Sequence, residues 1–189
     1  MQHIDISKFT NKRVLIVGDI ILDEFIQTTS ERNSAEYKDI PILKINEKKS
    51  YLGGAANVAL NLKQLRAIPY LVGCIGDDAN GATIEKLLQQ AEISIEYIYR
   101  NHTQKTTVKT RIFKDNRPIF RLDDECDTYT NKLHNAFILR NITNAIQQHK
   151  PHILLLQDYN KGVLNQENIS EIIQLAKQHQ LLICVDPKV

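Results

Sequence analysis

Gly53 and Gly54 stand where an extended stretch, Tyr51-Leu52, gives way to the helical run Ala55-Ala56-Asn57-Val58-Ala59-Leu60-Asn61-Leu62. Glycine lets a backbone approach a ligand or another strand closely. The first amides of a helix have no intrahelical partner, so they favour oxygen-rich or anionic groups. Asn57 falls in that first turn and can both donate and accept, as a reader of hydroxyls must. A bare Gly-Gly pair also fits a tight strand-to-helix junction with a core-facing Asn. A second chemical surface lies in residues 106–124, which read as two strands joined at Lys114-Asp115-Asn116-Arg117. The two-residue strand period puts Lys109, Arg111 and Phe113 on one face of the first arm, and Ile119, Arg121 and Asp123 on one face of the second. Such a face is either the solvated side of a hairpin or the underside of a lid.

The elements that must position these residues follow an α/β rhythm. Arg13 to Val17, Tyr70 to Ile75, His152 to Leu156 and Leu181 to Val185 are short, almost wholly apolar runs. Strands without polar alternation are usually covered on both faces, as in a parallel sheet between helices. Helix patterns lie between them at Gly54 to Arg66, Gly81 to Ala91, Leu133 to His149 and Asn168 to Gln178, the last with Ile169, Ile172, Ile173 and Ala176 on one stripe. The alternation predicts a mostly parallel sheet flanked by helices. Residues 20–51 and 106–124 break the rhythm with extended stretches, including Ile40 to Ile45.

Composition is that of a globular protein, with 42% hydrophobic and 24% charged residues. A formal charge of +2, spread along the chain, gives no nucleic-acid footprint. The apolar runs fall short of the roughly 20 residues that a membrane helix requires. The start, Met1-Gln2-His3-Ile4-Asp5, has no basic region followed by an apolar stretch, so no signal peptide is expected. Cys74, Cys126 and Cys184 are odd in number and lack paired metal-site spacing, and the six His residues are scattered. No metal cluster is expected from them, and a reducing cytoplasm is the expected compartment.

In this order the motifs resemble those of the ribokinase-like (PfkB-type) carbohydrate kinases, from about Lys12 onward. The resemblance rests on Val17-Gly18-Asp19-Ile20-Ile21-Leu22-Asp23, Arg32-Asn33-Ser34-Ala35-Glu36, Gly53-Gly54-Ala55-Ala56-Asn57-Val58-Ala59 and Gly76-Asp77-Asp78. It continues through Lys109-Thr110-Arg111, Arg121-Leu122-Asp123, Asp158-Tyr159-Asn160-Lys161-Gly162 and Asp186-Pro187-Lys188. The Asp-Tyr-x-Lys-Gly and Arg-Leu-Asp signatures are similar to those of the bacterial kinases of D-glycero-β-D-manno-heptose 7-phosphate. One departure is Tyr37-Lys38-Asp39, where those kinases tend to have a shorter, proline-rich link. A dinucleotide-binding Rossmann domain is disfavoured, because Val17-Gly18-Asp19 lacks G-x-G-x-x-G.

The resemblance implies a ribokinase-like α/β fold with a small β lid built from residues 20–51 and 106–124. Ligands of such sheets sit beyond the carboxyl ends of the strands, so Asp19, Asp158 and Asp186 are expected to line one crevice. Asp19 is expected to accept sugar hydroxyls, and Gly53, Gly54 and Asn57 to close the pocket. Asp23 either joins them or pairs with a lid cation. Ser34 and Glu36 are further candidates in the first lid loop. For a phosphorylated sugar, Lys109, Arg111, Arg121 and Lys161 are candidate phosphate contacts, with Asp123 able to hold Arg121 in place. Asp158 and Lys161 form either a functional loop or a helix-capping one. Asp186 and Lys188 border the nucleotide site or merely end a strand.

The resemblance further implies ATP and Mg²⁺ as co-substrates, phosphoryl transfer to an anomeric hydroxyl, and lids that pair into a homodimer. The family's catalytic Gly-Ala-Gly-Asp segment, whose Asp is the general base, does not occur in this sequence. The expectation is therefore a truncated, sugar-binding N-terminal part with the base beyond Val189, inactive by itself and prone to associate through Leu181 to Val185. The alternatives are a kinase of another sugar and a non-catalytic sugar-binding fragment.

Overall fold

The computed structural model describes residues 5–37, 40–125 and 132–188. Lys38, Asp39, Cys126 and Val189 lie outside the described residues, as does the segment Met1 to Ile4. After a short 3-10 turn at Ile6–Phe9 come β1 (Arg13–Gly18), β2 (Ile20–Asn33), β3 (Pro41–Gly53), α1 (Gly54–Gln64) and β4 (Ile68–Gly76). Then follow α2 (Ala79–Gln90), β5 (Ile98–Asn101), β6 (Thr107–Lys114), β7 (Arg117–Asp124) and α3 (Lys132–His149). The chain continues through β8 (Ile153–Gln157), α4 (Ile169–Gln178) and β9 (Leu182–Asp186).

The apolar runs form a five-stranded sheet in the order β5-β4-β1-β8-β9, with parallel pairing throughout. Its centre is β1, where Leu15, Ile16 and Val17 are wholly buried. Alternation along that strand divides the core in two. Leu15 and Val17 pack with Ile138, Ile142, Ile172 and Ala176 of α3 and α4. Val14 and Ile16 pack with Ala55, Ala56, Ala59, Ile84 and Leu88 of α1 and α2. This is the sheet between helices that the apolar runs imply, and β5 is an addition to it. Four residues reading Ile98-Tyr99-Arg100-Asn101 carry little strand signal, and their register is set by pairing with Gly73–Gly76.

The two segments that interrupt the rhythm form a second, four-stranded sheet in the order β3-β2-β6-β7. Its hairpin turn places Asp115 and Asn116 at φ 49° and 64°. Positive φ at both central residues matches the right-handed twist of the arms, and Asp and Asn tolerate it well. Helix boundaries differ slightly from the sequence reading. α1 stops at Gln64, and Arg66 turns to φ 65°. α2 begins earlier, at Ala79, because the Asp78 side chain caps it by accepting from the Gly81 amide.

The two sheets meet at Gly18–Ile20 and at Gly53–Gly54. The chain leaves β1 and enters β2 one residue later, so Asp19 sits in the crossing. β3 runs directly into α1 there. Gly54 has φ 55°, and its neighbour Ala55 donates its amide to the Asp19 carbonyl at 2.8 Å. A side chain at Gly54 would collide with that same carbonyl, so the position requires glycine on both counts.

Candidate functional site

One face of the second sheet carries the chemical groups, and strand register puts them in rows. Asp23 of β2 lies opposite Tyr51 of β3 and Lys109 of β6, and Lys109 in turn lies opposite Asp123 of β7. In the next row Phe25 lies opposite Lys49 and Arg111, and Arg111 opposite Arg121. Gln27 lies opposite Glu47 and Phe113. Where this face meets the start of α1 there is a cavity of about 500 Å³. Asp23, Phe25 and Gln27 line it from β2, Glu47, Lys49, Tyr51 and Leu52 from β3, and Asn57 from the first turn of α1.

The wall is held together by charge and aromatic contact. Arg111 Nη1 donates to Asp23 Oδ1 at 2.5 Å, while its guanidinium lies 5.3 Å from the Phe25 ring centroid. Phe25 meets Tyr51 edge-on at 5.5 Å and stacks with Phe113 at 5.9 Å. Gly53 belongs to the same contact, because a side chain there would run into the Asp23 carboxylate. Lys109 Nζ and Arg121 Nε reach the Asp123 carboxylate at 3.0 and 2.9 Å. Burial pushes the Asp123 carboxyl up, but Lys109 and Arg121 outweigh it and hold it below the usual carboxylate range. Lys161, from the loop after β8, meets Glu125 Oε2 at 2.5 Å, just past the end of β7. That hydrogen bond is the main reason the Glu125 carboxyl titrates below its ordinary value, against the opposing effect of burial. Lys109 stands 3.8 Å from the same oxygen. Lys109, Arg111, Arg121 and Lys161 thus face Asp23, Asp123 and Glu125, leaving the cations one in excess.

Asp19 departs from expectation. It is 1% exposed, and its carboxylate is turned into the loop after β8 instead of the cavity. Oδ2 accepts from the amides of Tyr159 at 2.8 Å and Lys161 at 3.0 Å, and Oδ1 from that of Val163 at 3.1 Å. Burial raises its pKa, and those three amides do not cancel the effect. Both Asp19 oxygens are thus engaged by the backbone, and the aspartate that lines the cavity is Asp23.

The expected crevice of three aspartates also resolves differently. Asp19, Asp158 and Asp186 do end or follow the neighbouring strands β1, β8 and β9. Asp158 Oδ1, however, accepts from the amide of Asn160 at 2.7 Å, and Asp186 Oδ2 accepts from Gln157 Nε2 at 2.7 Å. Asp158 thus braces its own turn, Asp186 ties the end of β9 to the end of β8, and Lys188 is exposed. Ser34 Oγ accepts the amides of Glu36 and Tyr37 at 3.2 and 3.3 Å, closing a local turn away from the cavity.

Phe25, Gln27, Glu47, Lys49, Tyr51 and Glu125 were not singled out by the sequence reading. The first five carry a usable signal: strict alternation away from Asp23 along β2 and away from Gly53 along β3. Glu125 carries none, because only tertiary packing brings it to Lys161. Among the described residues, no cluster of His, Cys, Asp and Glu is arranged to hold a metal ion. No helix among them is long and apolar enough to cross a membrane.

The family described as pfkB family carbohydrate kinase matches residues 11–189. A curated relative from Helicobacter pylori (strain HPAG1), named bifunctional protein HldE, is 40% identical over 177 residues, covering 94% of this chain and 38% of the relative. The chain thus spans well under half the length of that relative. Among solved structures, phosphofructokinase-2 from Escherichia coli in complex with fructose-6-phosphate superposes with a TM-score of 0.67 at 14% identity, over 95% of this chain and 56% of that one. Ribokinase from Arabidopsis thaliana, complexed with ribose and ATP, gives a TM-score of 0.62 at 16% identity, over 94% and 53%. At such identities the structures establish a shared ribokinase-like fold.

Proposed function

The chain belongs to the pfkB family of carbohydrate kinases, and we propose that it forms the sugar-binding part of a kinase acting on D-glycero-β-D-manno-heptose 7-phosphate. The single observation carrying this reading is the Arg111–Asp23 pair at the cavity wall, flanked by further cations. A sugar phosphate presents hydroxyls at one end and a dianion at the other. Asp23 and Asn57 suit the hydroxyls, one as acceptor and the other as donor and acceptor. Gly53 and Gly54 let the sugar approach the start of α1. The second sheet acts as the lid, and Arg111, Lys109, Arg121 and Lys161 supply charge for the phosphate. The heptose assignment rests on the Asp158-to-Gly162 and Arg121-to-Asp123 signatures and on the identity to relatives named HldE.

In this reading ATP with Mg²⁺ supplies the γ-phosphoryl group, and the acceptor is the anomeric hydroxyl, on the route to ADP-heptose and lipopolysaccharide core. Phosphoryl transfer depends mainly on positioning and charge neutralisation, and this chain contributes the positioning of the acceptor. In this reading Asp186 and Lys188 border the nucleotide; the Asp186 carboxylate accepts from Gln157, and Lys188 is exposed just past the end of β9. The reading also includes a cytoplasmic location and a homodimer formed through the lids.

The test is calorimetric titration of the purified chain with heptose 7-phosphate and with unphosphorylated heptose. The phosphorylated sugar is expected to bind at least tenfold more tightly, about the effect of one charge-assisted contact. Equal affinities, or tighter binding of ribose, would transfer the chain to a kinase of a neutral sugar.

A further inference from the structure

We infer that Asp19 is a positioning residue that acts through Lys161, holding the loop after β8 so that the Lys161 ammonium stays at the base of the lid. The loop from Asp158 to Asn168 joins β8 to α4 and is fixed at both ends. At its start, the Asp19 carboxylate gathers the amides of Tyr159, Lys161 and Val163. Alternate amides along an irregular segment converge on one side chain, and the segment between them turns through positive φ at Asn160 (55°) and Gly162 (97°). At its end, Asn168 donates to the Val163 carbonyl at 2.8 Å and to Asn135 Oδ1 at 3.1 Å. Asn165 reaches the same Asn135 oxygen at 2.9 Å.

From a loop pinned in this way Lys161 reaches Glu125. The Lys161 side chain is 13% exposed and that of Glu125 26% exposed, so the pair is shielded from solvent. Glu125 also faces Lys109 and Asp123, which carry the network on to Arg121. Asp19 directly follows β1 of the core sheet, and Glu125 directly follows the lid hairpin. The chain of contacts from one to the other therefore fixes the cation that the core offers to the lid. A phosphate entering the lid competes with Glu125 for Lys161, and the loop lets the ammonium turn without moving its backbone. This last step rests on the proposed sugar-phosphate reading; the positioning itself does not.

The experiment follows the Glu125 carboxyl by carbon-detected NMR titration in this chain. In the wild type Glu125 is expected to titrate below an ordinary glutamate, and Lys161→Gln to raise it. Asp19→Asn is expected to raise it as well, and the double variant to go no further than Lys161→Gln. Ile84→Val, a mild change in the core cluster that holds none of the loop's residues, controls for general loosening and is expected to leave Glu125 where it is. An unchanged Glu125 titration in Asp19→Asn overturns the inference, as does an equal rise in Ile84→Val. Should Asp19→Asn not fold, amide hydrogen exchange in the wild type decides. Shared protection of Tyr159, Lys161 and Val163 supports the inference, and exchange of Lys161 at the solvent rate overturns it. Heptose 7-phosphate affinity is read in parallel. A tenfold loss shared non-additively by Asp19→Asn and Lys161→Gln supports the full inference. A wild type that binds no sugar phosphate removes the functional reading while leaving the titration result standing.

Discussion

Arg111 of β6 reaches across to Asp23 of β2 at 2.5 Å with its guanidinium over the Phe25 ring, so one cation organises both the carboxylate and the aromatic wall of the cavity. Arg111→Ala removes a charge-assisted bond and a cation–π contact together. Heptose 7-phosphate affinity is expected to fall about tenfold or more, a charge-assisted hydrogen bond contributing about 1.5–3 kcal/mol. The unphosphorylated sugar should lose less. Arg111→Lys should recover only part of the loss, since an ammonium cannot repeat the planar fork. Titrating both sugars into each variant checks this, and equal losses on the two would show that Arg111 does not read the phosphate.

Asp19 and Asp23 are four residues apart in the sequence, and their substitution should separate stability from binding. Asp19→Ala leaves buried amides without an acceptor, each costing about 1–3 kcal/mol, so a large drop in melting temperature is expected. Asp23→Ala exposes no buried amide. It should abolish sugar binding while changing the melting temperature little. Thermal melts and calorimetry on the two variants decide between these roles. A stable Asp19→Ala chain that has lost sugar binding would restore Asp19 to the cavity.

The reason the Asp19 carboxylate faces the loop after β8 is topological. An acidic residue after an apolar run normally marks the open end of a parallel strand. Here the chain does not open into a loop; Ile20 starts a strand in another sheet, and the Asp19 side chain is left beneath the turn after β8. The core sheet was legible because Val14 to Val17 are buried on both faces and, like their partner strands, read as unbroken apolar runs. The second sheet was legible as extended chain, and its register was not. Register depends on Ile21 lying opposite Gly53 and Thr107, a long-range match that local pattern does not encode. Once it is known, Lys49, Tyr51 and Arg111 fall on the face of Asp23 by alternation alone. The Lys161–Glu125 pair has no such local signal, because 35 residues, including two elements of the core, separate its partners.

Asp78 ties the entry of β6 to the start of α2. Oδ1 accepts from the Gly81 amide at 2.7 Å and the Thr106 hydroxyl at 2.8 Å, and Oδ2 accepts from the Thr106 amide at 2.8 Å. Burial pushes its pKa up, but these hydrogen bonds prevail and the pKa lies below the ordinary value. A depressed carboxyl stabilises the fold above its unfolded pKa, and that stabilisation is lost as pH falls through the folded pKa. Asp78→Ala is expected to cost about 0.5–2 kcal/mol near neutral pH, as the loss of a helix cap does. The gap between wild type and variant should narrow on acidification below about pH 4. Urea melts of both proteins at pH 7 and at pH 3 test the sign; a gap that widens in acid contradicts it.

The sequence holds no Gly-Ala-Gly-Asp segment, the family's source of general base and anion-hole amides. With ATP, Mg²⁺ and heptose 7-phosphate, the 189-residue chain is expected to show no turnover at an ordinary enzyme rate. Loss of a positioned base costs about 10²–10⁴-fold, and loss of an anion-hole donor about a further 10²–10³-fold. A coupled assay for ADP release is sufficient, and brisk turnover would mean that the base lies among these residues after all.

The open edge of the core sheet should govern how the chain behaves in solution. β9 is the last strand in the order β5-β4-β1-β8-β9, so one row of its backbone groups is unpaired within the sheet. Leu182 and Val185 point to opposite faces and are 62% and 55% exposed. Beside them an apolar groove of about 330 Å³ runs between Phe9, Val58 and Leu62 on one side and Ile153, Leu155 and Cys184 on the other. An unpaired strand edge next to exposed apolar surface is a template for pairing with another chain. Sedimentation velocity is therefore expected to show association that grows with protein concentration. Leu182→Lys with Val185→Lys should suppress it, because a charged edge strand resists pairing and neither side chain is buried in the core. Thermal unfolding of the double variant should remain close to that of the dilute wild type. A wild type that sediments as a single monomeric species at every concentration and unfolds in one steep transition would show that this edge is not sticky.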